Sequence, residues 1–321
     1  MREFVEMKKY FLIFCICNFA NFDFANGAYF YADAVDSAIQ KIFPSELQSA
    51  VASEYESQMD NDGNIDTSGM EQVCYAGKYD VSTSEGAAAC ANFVNEIANT
   101  CVYGTGSNLK YYTNPPNEDV KIRKCIFDKT MDYVFSYEKG FQQTPSDPGN
   151  RICDKNRKPL LDANGNYILG ATNMGITTCA SGLSVACIKN MTPLQARQYY
   201  WTRFYYKYGY YKLPIEVVAA VMELAVGGPG TVAAELRTAA NVTNCGTNAV
   251  VNDCTAAAVT EYIEHHGVER FYQEITSLRA KKRSGKAKER ALGVRGLSDL
   301  YIKCGGRKRI FSTPNQATHS K

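Results

Sequence analysis

Residues 135–150 read FSYEKGFQQTPSDPGN, an aromatic run that ends in a glutamate and passes into a turn-rich stretch holding an aspartate. The helical pattern leading into it starts at Ile126, and Phe127, Met131, Val134 and Glu138 follow at spacings of four, three and four. Residues so spaced share one helix face. Glu138 therefore sits where a core residue belongs, and its carboxylate is expected to be partly desolvated. Burial disfavours the charged form of a carboxylic acid, which is how an enzyme keeps a transferable proton on a glutamate near neutrality. The plainer alternative is a helix-end glutamate that swings to solvent or pairs with Lys139 or Arg151.

Outward from this stretch, the chain has 321 residues and 45% apolar composition, enough for real cores in more than one domain. Lys plus Arg number 35 against 33 for Asp plus Glu, so no bulk field recruits nucleic acid. The N-terminus differs in chemistry. Two lysines precede the uncharged apolar run YFLIFCICNFA (Tyr10–Ala20), and small residues follow at Ala25–Asn26–Gly27. We read residues 1–27 as a cleaved secretory signal. The apolar run is shorter than the ~20 residues a membrane span needs, so no stable span is expected after cleavage. No lipobox precedes Cys15 or Cys17, because Phe14 and Ile16 are too large.

Loss of the signal leaves ten cysteines, spread from Cys74 to Cys304. An oxidising compartment pairs them, whereas a metal site would need tight pairs that are missing here. Cys245 and Cys254 are the natural local pair, and the remaining connectivity is open. Location is therefore expected to be periplasmic or secreted.

The chain divides into 28–122, a polar, cysteine-containing region of unassigned role with one helix from about Ala34 to Met59 and sparse packing; 123–237; 238–304, largely helical; and a tail, 305–321. Thr192–Pro193 with Gln195 opens a helix that packs through Leu194, Trp201, Phe204 and Tyr208. Pro214 opens IEVVAAVMELAV, apolar nearly all round except Glu216 and Glu223, which belongs in a domain centre. Thr231 and Thr255 are expected caps of the next two helices, and Gly267 a stop. Asp162-Ala163-Asn164-Gly165-Asn166 reads as a hairpin turn. The fold class is mainly α with a small β element.

Three stretches resemble the signature of glycoside hydrolase family 108 muramidases. In that family a helix ends in a Glu-Gly-Gly-Tyr-like segment, followed by Asp-Pro-Gly-Gly and then Thr-x-x-Gly-Ile-Thr. The matching residues here are Glu138–Phe141, Asp147–Asn150 and Thr172–Thr177. YYWTRFYYKYGYYKLP (199–214) with the apolar helix and AVGGPGTVAAEL after it is similar to the family's second half, and 268–300 resembles a degenerate form of its C-terminal peptidoglycan-binding segment. The resemblance implies a lysozyme-like α+β domain with a small β-hairpin lobe, no cofactor and no metal. It implies that Glu138 is the catalytic acid, Asp147 the second carboxylate and Thr172 a threonine that positions water. Departures are Lys139 and Asn150 in place of glycines, Asn150 being a residue that tolerates left-handed backbone. Others are an insertion between Asn150 and Gly170, a missing Asn before Gly227–Gly230, and Leu297 and Leu300 at positions usually Trp and Arg.

Other constellations are weaker. Asp60–Glu71 has the composition of a calcium loop, but Ile65 stands where the turn glycine belongs. His265–His266 fits a helix C-terminus. The basic run Arg279–Arg290 reads as a solvated face, with attraction to an anionic wall surface as its functional reading. The tyrosines of 199–211 read as core on one side, with a minority of rings free to stack on sugar. The expected function is an exported peptidoglycan hydrolase cutting the β-1,4 bond between N-acetylmuramic acid and N-acetylglucosamine. Its partners would be glycan strands and, in one use, a cell-envelope secretion or conjugation complex. The alternative is a non-catalytic envelope structural or adaptor protein that keeps the fold.

Overall fold

A computed structural model describes residues 38–307 apart from 59–71, 75, 81, 100, 102, 104–105, 139 and 155–156. The expected signal, the Asp60–Glu71 loop and most of the tail lie outside the described residues. The fold is mainly helical. In chain order it runs α1 (Ser45–Gln58), α2 (Ser84–Asn99), α3 (Gly106–Thr113), α4 (Glu118–Tyr137), β1 (Thr172–Asn173), β2 (Ile176–Thr177), α5 (Pro193–Tyr200), α6 (Val218–Val226), α7 (Pro229–Ala239), α8 (Asp253–His266), α9 (Val268–Ala280) and α10 (Gly285–Gly293). No described helix is long and apolar enough to cross a membrane. Two compact units form, each discontinuous in sequence: Met1–Val102 with Lys139–Thr192, and Tyr103–Glu138 with Pro193–Lys321.

In the first unit, the expected single helix from about Ala34 is broken. Residues 38–42 are helical, the chain leaves the helix at Phe43–Pro44, and α1 begins at Ser45. Proline disfavours helical backbone in the residue before it. Packing here is not sparse, contrary to expectation. Ile39, Phe43, Val51, Tyr55, Val73 and Phe93 are buried together, Phe43 meets Phe93 edge-on at 4.9 Å, and the Cys74–Cys90 disulfide closes the cluster. Its apolar residues are scattered over short segments, so no single stretch announces a core.

The insertion in this unit folds as a small β meander. Ile152 accepts from Leu160 (2.9 Å) and donates to Ile168 (3.0 Å). The expected turn is present: Asp162 Oδ1 accepts from the amides of Asn164 (2.8 Å) and Asn166 (2.9 Å), and Leu161 pairs with Tyr167. β1 and β2 follow as an antiparallel pair with Thr172 opposite Thr177.

In the second unit, α4 begins at Glu118, earlier than its apolar stripe, because Asn117 caps it by accepting from the Val120 amide at 2.9 Å. α6 is buried from Val218 to Ala225 and packs on α4; residues Ile215–Val217 ahead of it form a 3-10 turn. α5 runs into a π-helical turn, Trp201–Tyr206, with Trp201 buried and stacked on Tyr205 at 4.7 Å. Leu194, expected on the packing face, is 53% exposed, since burial on α5 starts only at Ala196. Two expected caps move. α7 starts at Pro229, whose fixed φ suits the first helical position, rather than at Thr231. α8 is capped by Asn252, which accepts from the Thr255 amide (2.8 Å), rather than by Thr255. Gly267 ends α8 as expected, with φ of 83°.

All ten cysteines after Cys17 are paired: Cys74–Cys90, Cys101–Cys187, Cys125–Cys304, Cys153–Cys179 and the expected Cys245–Cys254. Each pair lies within one unit. Alkylation of natively exported protein without reduction should label essentially none of them, and extensive labelling would contradict the pairing. Cys125 and Cys304 are 179 residues apart in sequence. In the loop-entropy account, replacing both by serine should cost on the order of 4 to 5 kcal/mol, read as a lower denaturant midpoint.

Candidate active site

Glu138 follows directly on α4 as its C-cap. Its backbone has turned extended (φ −75°, ψ 123°) while its amide still donates to the Val134 carbonyl at 3.0 Å. Phe127, Met131 and Val134 beneath it are fully buried. The side chain remains 27% exposed, so the spacing rule placed it correctly at the lip of a packed face. Among the described residues its ion-pair partner is an arginine of α10 rather than Arg151. Lys139 lies outside the described residues, and Arg290 of α10 donates through Nη1 to Glu138 Oε1.

Arg290 is shared. Its Nε donates to Oε1 of Glu223 at 2.9 Å, and Arg283 Nη1 donates to that same oxygen at 2.7 Å. Glu223, on α6, is fully buried. Burial opposes the charge of Arg290, but Glu138 and Glu223 more than offset it and raise its pKa above the ordinary guanidinium range. α4 and α10 are also joined by the Tyr133 hydroxyl, which donates to the Arg290 carbonyl at 2.7 Å. That approach needs Gly293, where a Cβ would lie 2.3 Å from the Tyr133 oxygen. Tyr200, fully buried, has its phenol pushed well up by burial and then by the charge of Glu138.

The basic run is therefore not a solvated face. Arg279 and Arg290 are buried and Arg283 has only 10% of its side chain exposed; Arg279 pairs with buried Glu235 at 3.0 Å. Only the lysines, among them Lys281, Lys286 and Lys288, point outward. Arg290 is the site neighbour that sequence reasoning missed. Its signal was Glu223 inside an apolar helix, because a buried carboxylate requires a cation.

The other two candidates share the first unit. Asp147 begins a tight turn, with Oδ1 accepting from the Gly149 amide (2.8 Å) and its carbonyl from the Asn150 amide (3.0 Å). Asn150 is completely buried. Its Nδ2 donates to the Thr144 carbonyl (3.2 Å), and its Oδ1 accepts from Thr172 Oγ1 (2.5 Å). Thr172 in turn exchanges both backbone hydrogen bonds with Gln142, at 2.8 and 2.9 Å. Asn150 thus joins the Asp147 turn to the Thr172 hydroxyl. Its backbone is not in the left-handed region, so asparagine replaces glycine here for its side chain and not for its φ. Glu138 belongs to the other unit and is held by its own partners.

The described residues thus include a half-buried glutamate ending a core helix, an Asp turn and a strand threonine, in a mainly helical fold with a small antiparallel sheet. Residues 131–228, which include Glu138, Asp147 and Thr172, match the family model Glycosyl hydrolase 108, and the chain carries a lysozyme-like domain of that type. A solved structure titled "Structure of Brucella abortus SagA" is 26% identical, with a TM-score of 0.37 over 56% of this chain and 92% of that one. No curated protein matches the chain.

Proposed function

We propose that the chain is an exported N-acetylmuramidase that hydrolyses the β-1,4 bond between N-acetylmuramic acid and N-acetylglucosamine, with Glu138 as the general acid. The observation that carries this is the half-buried Glu138 carboxylate capping the core helix inside the family-matched segment. Glu138 protonates the glycosidic oxygen as the bond to the anomeric carbon breaks. Asp147 activates the water or stabilises the oxocarbenium-like transition state, the second task that glycoside hydrolysis requires. Thr172, its hydroxyl oriented by Asn150, positions that water. Residues 123–237 form the hydrolytic domain, and 238–304 the helical segment beside it in sequence, which contributes Arg290. Export to the periplasm or medium agrees with the five disulfides. Such an enzyme would serve to open the wall locally for a secretion or conjugation apparatus, to turn over its own wall, or to attack a competitor.

Purified sacculi digested with the enzyme should release fragments ending in a reducing N-acetylmuramic acid, seen as a hydrated mass after separation. A 1,6-anhydro end would overturn hydrolysis, and absence of any release would favour the non-catalytic adaptor reading. Thr172→Ala should slow lysis by about 10- to 100-fold, the scale of a misplaced reactant, and Asn150→Ala should act in the same direction. Normal lysis by folded Thr172→Ala would remove the threonine from the assignment.

A further inference from the structure

The tyrosine-rich stretch 199–211 is not wholly absorbed by the core. Trp201, Tyr205 and Tyr210 are buried, yet three other rings gather at the surface of the same unit. Tyr206 comes from the π-helical turn, Tyr211 from the 3-10 turn Tyr210–Lys212, and Tyr111 from α3. Tyr206 and Tyr211 stack at 5.2 Å with 22° between planes, and Tyr111 leans on Tyr206 at 6.3 Å and 45°. Tyr211 is 42% and Tyr111 37% exposed.

The cluster is fixed from below. Tyr206 meets Trp201 at 5.5 Å and Tyr205 at 5.4 Å, both near edge-on. Beside Tyr111, Tyr112 is buried against Trp201 at 5.5 Å and donates its hydroxyl to Asp128 at 2.7 Å, which anchors α3. Burial, then Tyr205 and Tyr111, pushes the Tyr206 phenol up to about 12, so its hydroxyl stays protonated. Rings already ordered lose little side-chain freedom when something stacks on them.

The sequence flanking the rings is basic. Lys110, Lys207 and Lys212 each adjoin one of the three tyrosines in sequence, and neither 106–113 nor 199–213 contains an acidic residue. Lys212 pairs with Asp253 at 2.9 Å. Ring faces offer apolar area to the axial C–H groups of a pyranose, phenols offer donors and acceptors to its hydroxyl and acetamido groups, and lysines offer counter-charge to carboxylates.

We infer that Tyr111, Tyr206 and Tyr211 form a binding platform for a β-linked amino-sugar strand bearing carboxylates, a site that shares no residue with the Glu138 group. The identity of the strand as peptidoglycan rests on the function proposed above. Such a platform holds the polymer while cleavage occurs elsewhere along it.

The test uses the full chain carrying Glu138→Gln, so that binding is read without hydrolysis. Cosedimentation with purified sacculi should show the dissociation constant rising at least about tenfold in Tyr111→Ser/Tyr211→Ser, the scale of a lost aromatic stacking contact. Tyr111→Phe/Tyr211→Phe should retain most of the binding, and melting temperatures should stay within a few degrees. With Glu138 restored, the serine pair should slow lysis of sacculi while leaving turnover of short soluble muropeptides unchanged. Unaltered sacculus binding in the folded serine pair overturns the platform. Equal tyrosine-dependent affinity for a neutral chitin hexamer overturns the acidic-strand assignment, and tighter binding of oligo-dT than of sacculi overturns the sugar ligand. Failure of the muramidase reading would appear separately, as undiminished lysis by Glu138→Gln with platform binding intact.

Discussion

Replacing Glu138 by glutamine is expected to lower the rate of sacculus lysis by about 100-fold or more, the scale of general acid catalysis, in a chain that stays folded. The amide keeps the shape of the side chain and can still accept from Arg290, but it has no proton to give a leaving oxygen. Stability should change little. Arg290 keeps its second carboxylate, Glu223, at 2.9 Å, and the Glu138 side chain is 27% exposed, so water replaces part of what the ion pair contributes. A shift of about 1 kcal/mol or less is expected for such a screened pair. Lytic rate and melting temperature measured side by side decide the matter. Undiminished lysis in a normally melting variant would end the assignment of Glu138. A large loss of stability would instead show that the pair with Arg290 serves the fold.

The sequence carried the elements whose signal is local. The spacing of Phe127, Met131, Val134 and Glu138 placed a carboxylate at the edge of a buried face. The Asp162–Asn166 turn and the Cys245–Cys254 pair were legible because each is closed by residues a few positions apart. Caps were read less well: Asn252 and Pro229 displaced Thr255 and Thr231, since several adjacent polar or breaking residues compete and packing chooses between them. The N-terminal core was missed because Ile39, Val51, Val73 and Phe93 belong to separate short segments that meet only in three dimensions.

Long-range polar partners were the least legible part. Arg290 is 152 residues from Glu138 and 67 from Glu223, and nothing around it in sequence separates it from the lysines of the same basic run. What marks it is the demand of two distant acids, one fully buried. Asn150 was misjudged for a related reason. Read locally it is a turn residue in place of glycine, whereas its side chain answers to Thr172, 22 residues further on.

That demand makes Glu223 a sensitive structural position in the second unit. Glu223→Ala should destabilise the protein by about 3 to 5 kcal/mol, because it leaves Arg283 buried without its acid and Arg290 with half of its compensation. Both guanidiniums converge on one oxygen, at 2.7 and 2.9 Å, and Glu223 has no exposed surface. A lost side chain in a closed interior adds a cavity term in the same direction. Lysis should fall as well, beyond the loss of folded protein, since Arg290 is the residue that holds Glu138. The two effects can be separated. Converting Glu223, Arg283 and Arg290 together to methionine removes every charge of the buried group, and apolar replacement of a complete buried ion cluster is commonly neutral or stabilising. The triple variant should therefore regain most of the stability lost in Glu223→Ala but none of the lysis, because Glu138 no longer has the cation that sets its position. Recovery of both would show that the network supports the fold alone, and a Glu223→Ala melting temperature within a degree or two of the parent would show that it does not support the fold.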